Sequence, residues 1–129
     1  MTFLSVLAVG FSGSVGATCR FALEYGVKLL LLKHRKNHFW TNSAIPIAVV
    51  NIIGCFLMGM ASAYFGTDTT PAHLAVTTGF LGGFTTFSTA MLDGVKLARS
   101  GKVPTALIMI IGTLVLSLLA VIGGYQVVA

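Results

Sequence analysis

The chain has 129 residues, of which 56% are hydrophobic and only 9% are charged, and its mean hydropathy is +0.94. A composition this apolar excludes a water-soluble globular domain and indicates an integral membrane protein. The formal net charge of +5 does not require a nucleic-acid partner, because the basic residues cluster where membrane topology places them.

Four apolar runs are long enough to cross a bilayer, since a membrane-spanning helix needs about 20 apolar residues. These predicted spans cover residues 3–23, 45–65, 74–97 and 103–128. The connectors between them are too short to fold alone, so the sequence predicts one all-α membrane domain over residues 1–129. The first run lacks the basic start of a cleavable signal peptide, and we expect it to be retained.

The first two spans each hold one polar side chain of interest. Arg20 lies near the end of the first span, where it either pairs with Glu24 one turn later or attracts an anion into a vestibule. Asn51 lies among aliphatic residues of the second span, so its amide must find a hydrogen-bonding partner. An interhelical hydrogen bond is one interpretation, and a donor facing a solute path is the favoured one.

The third span contains the most informative stretch of the chain, residues 79–89, with the sequence GFLGGFTTFST. A glycine-broken helix leaves backbone groups unpaired, and a membrane tolerates these only where they are buried in protein or line a polar cavity. We therefore predict two half-helices around Gly82 and Gly83, and a path for an ion or solute beside them.

Side chains around the predicted break recur at helical spacing on separate faces. The polar stripe is Thr86, Thr89 and Asp93, the aromatic stripe is Phe80, Phe84 and Phe87, and two hydroxyls one turn apart in the fourth span are Thr113 and Ser117. The fourth-span hydroxyls either bond back to their own helix or extend the hydroxyl track of the third span.

The polar groups of this lining favour an anion. Asn51 and the hydroxyls donate hydrogen bonds, and aromatic ring edges carry partial positive charge. A cation pathway or a proton-coupled pump normally places Asp or Glu within the spans. The acids of this chain are instead Glu24, Asp68 and Asp93, near span ends or in loops.

Basic residues lie almost entirely on one side of the predicted bundle. The connectors after the first and third spans, with the adjoining span ends, hold Lys28, Lys33, Arg35, Lys36, Lys96, Arg99 and Lys102, and the opposite side holds no Lys or Arg. Short basic loops stay cytoplasmic. We therefore expect both termini outside the cytoplasm and one fixed orientation in the cell membrane.

Four helices with a polar path between them leave little material for packing, so we expect an oligomer. Small residues at close helical spacing let helix backbones approach each other, although contacts within and between subunits give the same pattern. These glycines are Gly10, Gly13, Gly16, Gly54, Gly59, Gly79, Gly83 and Gly112.

Three segments together resemble the small four-helix fluoride channels of the Fluc (CrcB) family. They are Gly13–Arg20 in the first span, Val50–Gly54 in the second and Gly79–Thr89 in the third. The resemblance covers almost the whole chain and implies an antiparallel dimer with fluoride-selective pores at the subunit interface. It also implies a structural sodium ion at the dimer centre, held by the backbone carbonyls of Gly82 and Thr85.

The resemblance implies roles for individual residues as well. Phe87 is expected to present a ring edge to fluoride and Asn51 to donate a hydrogen bond to it, while Ser88, Thr89 and Ser117 continue the polar track. The implied activity is passive export of cytoplasmic fluoride, which enters acidified cells as neutral HF and is trapped as the anion.

Three positions depart from the family pattern. Ile47 replaces an expected threonine, Ala90 an expected second phenylalanine and Leu107 an expected tyrosine. Each replacement removes polar or aromatic lining. A chain that pairs antiparallel with itself must also insert in both directions, which the one-sided basic charge opposes. We therefore favour a subunit that pairs with an oppositely oriented paralogue over a self-sufficient homodimer.

Two other classes of function remain open. A non-conducting or half-active partner of a true channel subunit is consistent with the three replacements. A proton-coupled small multidrug exporter is a remote alternative, because it requires a carboxylate within the first span and none precedes Glu24. We do not expect an enzyme, because the sequence has no paired nucleophile and base and no phosphate-binding loop.

Overall fold

The computed structural model describes residues 2–34 and 44–129, and these residues form helices joined by turns. Three unbroken helices are long and apolar enough to cross a membrane. They are α1 (Phe3–His34), α2 (Ala44–Phe65) and α5 (Val103–Val128). The predicted all-α class is confirmed, and the structure extends the first helix beyond the predicted span.

The third predicted span consists of two shorter helices. The first, α3, begins as an α-helical turn, continues as a π-helix and ends in another α-helical turn, and the second is α4. Their bounds are Pro71–Leu74, Ala75–Leu81 and Gly82–Phe84 for the three parts of α3, and Ser88–Arg99 for α4. The predicted break is confirmed, but its position was wrong. Gly82 and Gly83 are helical, and the chain leaves the helix at residues 85–87.

A short turn connects α2 to α3. Gly66 has a φ of 59°, a left-handed conformation that glycine adopts without steric cost. The Thr70 hydroxyl then caps α3 by accepting a hydrogen bond of 3.2 Å from the His73 backbone N–H. The His73 ring stacks on Phe65 with ring centroids 5.1 Å apart. These contacts set the position at which the third span begins.

Close backbone contacts hold α1 against α3. A Cβ added at Gly16 would overlap the Phe80 carbonyl, and one at Gly83 would overlap the backbone of Gly13. Because only glycine permits this approach, the small-residue spacing of the first and third spans serves contacts within the subunit. Gly10, in contrast, has nothing within 4 Å of an added Cβ.

A second glycine contact joins α2 to α5. A Cβ at Gly59 would overlap the Val121 carbonyl, and one at Gly124 would overlap the Phe56 carbonyl. The two helices therefore touch through their C-terminal halves. Gly59 and Gly124 therefore also serve helix contacts within the subunit.

The structure describes five of the seven basic residues predicted for one side of the membrane. Lys28 and Lys33 lie on the last part of α1, and Lys96 and Arg99 lie in the last turn of α4. Lys102 precedes α5. The ends of these three helices therefore carry the basic charge predicted for one side. The remaining two basic residues of that side, Arg35 and Lys36, lie outside the described residues.

Candidate functional site

The side chain of Asn51 binds the backbone at the break between α3 and α4. Its Oδ1 accepts a hydrogen bond of 2.8 Å from the Thr86 N–H, and its Nδ2 donates one of 2.8 Å to the Thr86 carbonyl. Thr85 is extended, with φ −82° and ψ 155°. The backbone groups of Thr86 are thus paired across the bundle with α2 instead of along a helix, which is why the helix stops here.

Hydroxyl groups support both sides of the break. The Thr85 hydroxyl donates to the Leu81 carbonyl at 3.0 Å, closing α3. The Thr86 hydroxyl accepts a hydrogen bond of 3.3 Å from the Thr89 N–H and donates one of 3.1 Å to the Thr89 hydroxyl. A threonine that accepts from the backbone three residues later is a typical helix cap. Thr86 and Thr89, predicted as one polar stripe, are therefore hydrogen-bonded to each other.

A groove of about 440 Å³ opens beside the break, between α2, α4 and α5. Four residues predicted for an ion path line it together, namely Asn51, Phe87, Thr113 and Ser117. They come from three different parts of the chain. Apolar side chains line most of the remaining wall, so the donors are isolated polar points on an apolar surface.

Phe87 has a different environment from the other two members of the predicted aromatic stripe. The Phe80 and Phe84 rings stack at a centroid distance of 6.0 Å, and Phe84 is buried. Phe87 follows the break and is 76% exposed. The prediction of one continuous aromatic face was wrong, because residues 85–87 interrupt the helical spacing and turn the third ring away.

Thr85, predicted for the sodium site, also lines the groove, whereas Ser88, Thr89 and Arg20 lie outside its lining. Ser88 is exposed and Thr89 half-buried at the start of α4, and neither borders the groove. Arg20 is half-buried on α1. Within the described residues no ion pair joins it to Glu24.

The three positions where the resemblance predicts a different residue are not equivalent. Ile47 and Ala90 both line the groove, and Ile47 is only 1% exposed. Leu107 does not line the groove and is 53% exposed. Two of the three replacements therefore alter the wall of the groove directly.

The break also releases backbone carbonyls. In a continuous helix the Thr86 N–H would bond the Gly82 carbonyl, but here it bonds Asn51. Within the described residues, no hydrogen bond ends on the carbonyl oxygen of Gly82 or of Thr85. Carbonyl oxygens of this kind are suitable ligands for a hard cation.

An acidic side chain lies farther along α4. Asp93 is 6% exposed, and its Oδ1 is 3.9 Å from the Nζ of Lys96 one turn later. The predicted local ion pair is present. Asp93 is not among the groove residues, although its neighbour Gly94 is.

Sequence reasoning missed two features of this site. Cys55, which was not among the predicted site residues, lines the groove one turn after Asn51, and the spacing of four on α2 was the signal that could have placed it there. The pairing of Asn51 with the Thr86 backbone was also not foreseen. No pattern in the sequence identifies which backbone group an amide will bind.

Comparison with known proteins identifies a family that this chain matches. The sequence profile of the family described as CrcB-like protein, Camphor Resistance (CrcB), matches residues 7–125. A protein of Bifidobacterium longum named fluoride-specific ion channel FluC 3 is 35% identical, over 98% of this chain and 100% of its own length.

Two further relatives carry the name fluoride-specific ion channel FluC. The protein of Francisella tularensis is 35% identical over 97% of this chain and 95% of its own length. The protein of Paracoccus denitrificans is 38% identical over 94% of this chain and 91% of its own length. The similarity therefore covers the helices that form the groove as well as the break.

Proposed function

The chain belongs to the CrcB family, and from this membership we propose that it is a fluoride-selective channel that lets cytoplasmic fluoride leave the cell passively. The observation that carries the proposal is the groove beside the break, where Asn51, Phe87, Thr113 and Ser117 converge. Fluoride is small and strongly hydrated, so a path must replace its water with several donors.

The groove offers donors of the required kind. Nδ2 of Asn51 gives one hydrogen to the Thr86 carbonyl, and its second hydrogen has no partner among the described residues. Thr113 and Ser117 add hydroxyls, and Phe87 adds a ring edge with partial positive charge. Among the residues that the structure describes, no carboxylate lines the groove, so the lining favours an anion over a cation. Arg20, on α1, is proposed to attract the anion into a vestibule.

A second subunit is part of the proposal. Irregular backbone at membrane depth is tolerated only where protein or a water-filled cavity covers it, and here the break has Phe87 at 76% exposure beside it. An antiparallel partner seated on this face would cover the break and convert the open groove into a closed path. Ser88, which is exposed at the start of α4, and Thr89 would then continue the polar track.

We propose that a sodium ion binds where the two breaks of such a dimer meet. The carbonyl oxygens of Gly82 and Thr85 fit this ion, because they are hard ligands left without hydrogen bonds by the described residues. The bound ion would neutralise the carbonyl dipoles and hold the two breaks together. It would be structural, and export would need neither ATP nor a proton gradient.

The partner subunit is proposed to be a paralogue of opposite orientation. Seven basic residues on one side against none on the other favour a single orientation, with both termini outside the plasma membrane. Ile47 and Ala90 also make this chain's groove more apolar than the family pattern. A half-active or non-conducting subunit that supports a conducting partner is therefore the second candidate function. A catalytic activity is not part of either proposal.

Fluoride efflux from liposomes containing the purified chain tests the proposal, with chloride as the control anion. We expect fluoride to leave and chloride to be retained, either with this chain alone or after the paralogous subunit is added. Flux with the chain alone would contradict the requirement for a paralogue. Equal flux of the two anions, or no fluoride flux in either preparation, would contradict fluoride selectivity.

A further inference from the structure

Asn51 has two possible roles in this site, which are to donate a hydrogen bond to an ion in the groove and to bind the backbone of the break. Its hydrogen bonds distinguish these roles. A residue that only offers a donor to an ion in the groove needs one N–H group facing that groove. In the structure both ends of the Asn51 amide are instead bound to one backbone position, the N–H and the carbonyl of Thr86, each at 2.8 Å. The amide orientation is unambiguous, because the Thr86 N–H can only donate and its carbonyl can only accept.

The pairing has a consequence for the neighbouring carbonyls. If the Thr86 N–H were available, α3 could continue by one residue and bond the Gly82 carbonyl. Asn51 removes that option, and no other hydrogen bond of the described residues ends on the Gly82 oxygen. The same side chain therefore ends the helix and leaves a carbonyl available to a cation.

We propose that Asn51 is a positioning residue, which binds both backbone groups of Thr86 and thereby keeps the break between α3 and α4 open and the carbonyls of Gly82 and Thr85 free for the cation. The part of this inference that concerns the cation rests on the proposed function. The part that concerns the break rests on the hydrogen bonds alone. The amide thus links the groove wall to the cation ligands through a single residue, Thr86.

Backbone amide exchange of Thr86 tests the first part directly. Asn51→Leu removes both hydrogen bonds, whereas Asn51→Asp keeps an oxygen that accepts from the Thr86 N–H. We expect exchange at Thr86 to change by at least about tenfold in Asn51→Leu, faster where the N–H is left unpaired and slower where α3 extends onto the Gly82 carbonyl, and to stay close to wild type in Asn51→Asp, since protection reports the bonded N–H. Unchanged exchange in Asn51→Leu would overturn the proposal, as would an equal change in both variants.

The second part of the proposal, the link to the cation, is tested by the sodium concentration that the assembled dimer requires. This test uses Asn51→Asp, so it does not need Asn51→Leu to fold. Asn51→Asp keeps the acceptor for the Thr86 N–H but places a carboxylate oxygen against the Thr86 carbonyl in place of a donor, so the carbonyl side of the break should be displaced. We expect this variant to need at least about tenfold more sodium for half-maximal dimer formation. The same sodium requirement as wild type would overturn the link between Asn51 and the carbonyls.

Thr113→Val is the matched control, because Thr113 lines the same groove but is not among the hydrogen-bonding partners of Thr86 in the described part of the chain. It should lower fluoride flux and change neither the exchange of Thr86 nor the sodium requirement. A wild-type channel without fluoride flux or sodium dependence would contradict the proposed function. The exchange of Thr86 would still decide whether Asn51 positions the break.

Discussion

At the scale of single residues, the environment of Phe87 follows from the break and not from helical spacing. Phe80 and Phe84 stack inside the subunit, while Phe87 is 76% exposed on the groove. Its ring is therefore the aromatic side chain of this region that an anion in the groove can reach.

Replacing Phe87 with Ile should lower fluoride flux by at least about tenfold, which corresponds to about 1.4 kcal/mol in the barrier. The reason is that an aliphatic side chain fills space but has no partially positive ring edge. Flux from liposomes containing the assembled channel is the measurement. Phe11→Ile is the control, because Phe11 is equally exposed at 76% but lies on α1, away from the groove. Equal flux in the two variants would contradict a contact between Phe87 and the ion.

The replacements at Ala90 and Leu107 give a second residue-scale prediction. Ala90→Phe would place a second ring in the groove, where about 440 Å³ is open, and should raise flux about threefold to tenfold. Leu107→Tyr restores a family residue outside the groove and should leave flux unchanged. No rise in Ala90→Phe would show that the missing ring of the groove does not limit conduction, and a rise in Leu107→Tyr would show that a position outside the groove does.

At the scale of elements, glycines decide how closely the helices approach. Gly16 and Gly83 place the backbones of α1 and α3 in contact, and Gly59 and Gly124 do the same for α2 and α5. The break between α3 and α4 has a different cause, which is the competition of the Asn51 amide for the backbone of Thr86. Helix packing and helix interruption are therefore controlled by separate residues.

Gly16→Ala should destabilise the subunit by about 1–3 kcal/mol, the range typical of an over-packed contact. An added Cβ would overlap the Phe80 carbonyl, and backbone cannot move aside as a flexible side chain can. Gly10→Ala is the matched control on the same helix, where an added Cβ meets nothing, and should be neutral or slightly stabilising. Unfolding in detergent compares the two, and equal stability would contradict the α1 to α3 contact.

At the scale of the whole molecule, charge placement and the open groove lead to the same expectation of a partner. The groove of a single subunit is open and borders an irregular backbone segment. A bilayer does not tolerate such a segment unless protein or a water-filled cavity covers it. The charge asymmetry opposes insertion of this chain in both directions. A partner that inserts the other way satisfies both conditions.

Orientation mapping in cells tests this expectation. In a Cys19→Ala, Cys55→Ala background, a cysteine at Ser100 in the basic connector should react with an impermeant thiol reagent only after the cells are permeabilised. A cysteine at Thr67 in the opposite connector should react in intact cells. Both positions are exposed. Reaction of the Ser100→Cys variant in intact cells would show that this chain also inserts in the reverse direction.

The sequence alone determined the fold class, three of the helix positions and the existence of a break, because these depend on local composition. Runs of about 20 apolar residues specify spanning helices, and glycines followed by adjacent hydroxyl residues indicate an interruption within a few positions. The family was also evident from three short motifs, all of which lie within the residues 7–125 that match its sequence profile. Asn51 could be selected because an amide inside a span requires a partner.

Only the tertiary structure decided where the break lies, which side chains share the groove and which do not. The break moved from Gly82 and Gly83 to residues 85–87 because Asn51, on another helix, binds the backbone of Thr86. Ser88 and Thr89 fell outside the groove because other residues of α4, namely Ala90, Met91, Gly94 and Leu97, form its wall. These outcomes depend on contacts between residues far apart in the chain, and helical periodicity carries no information about them.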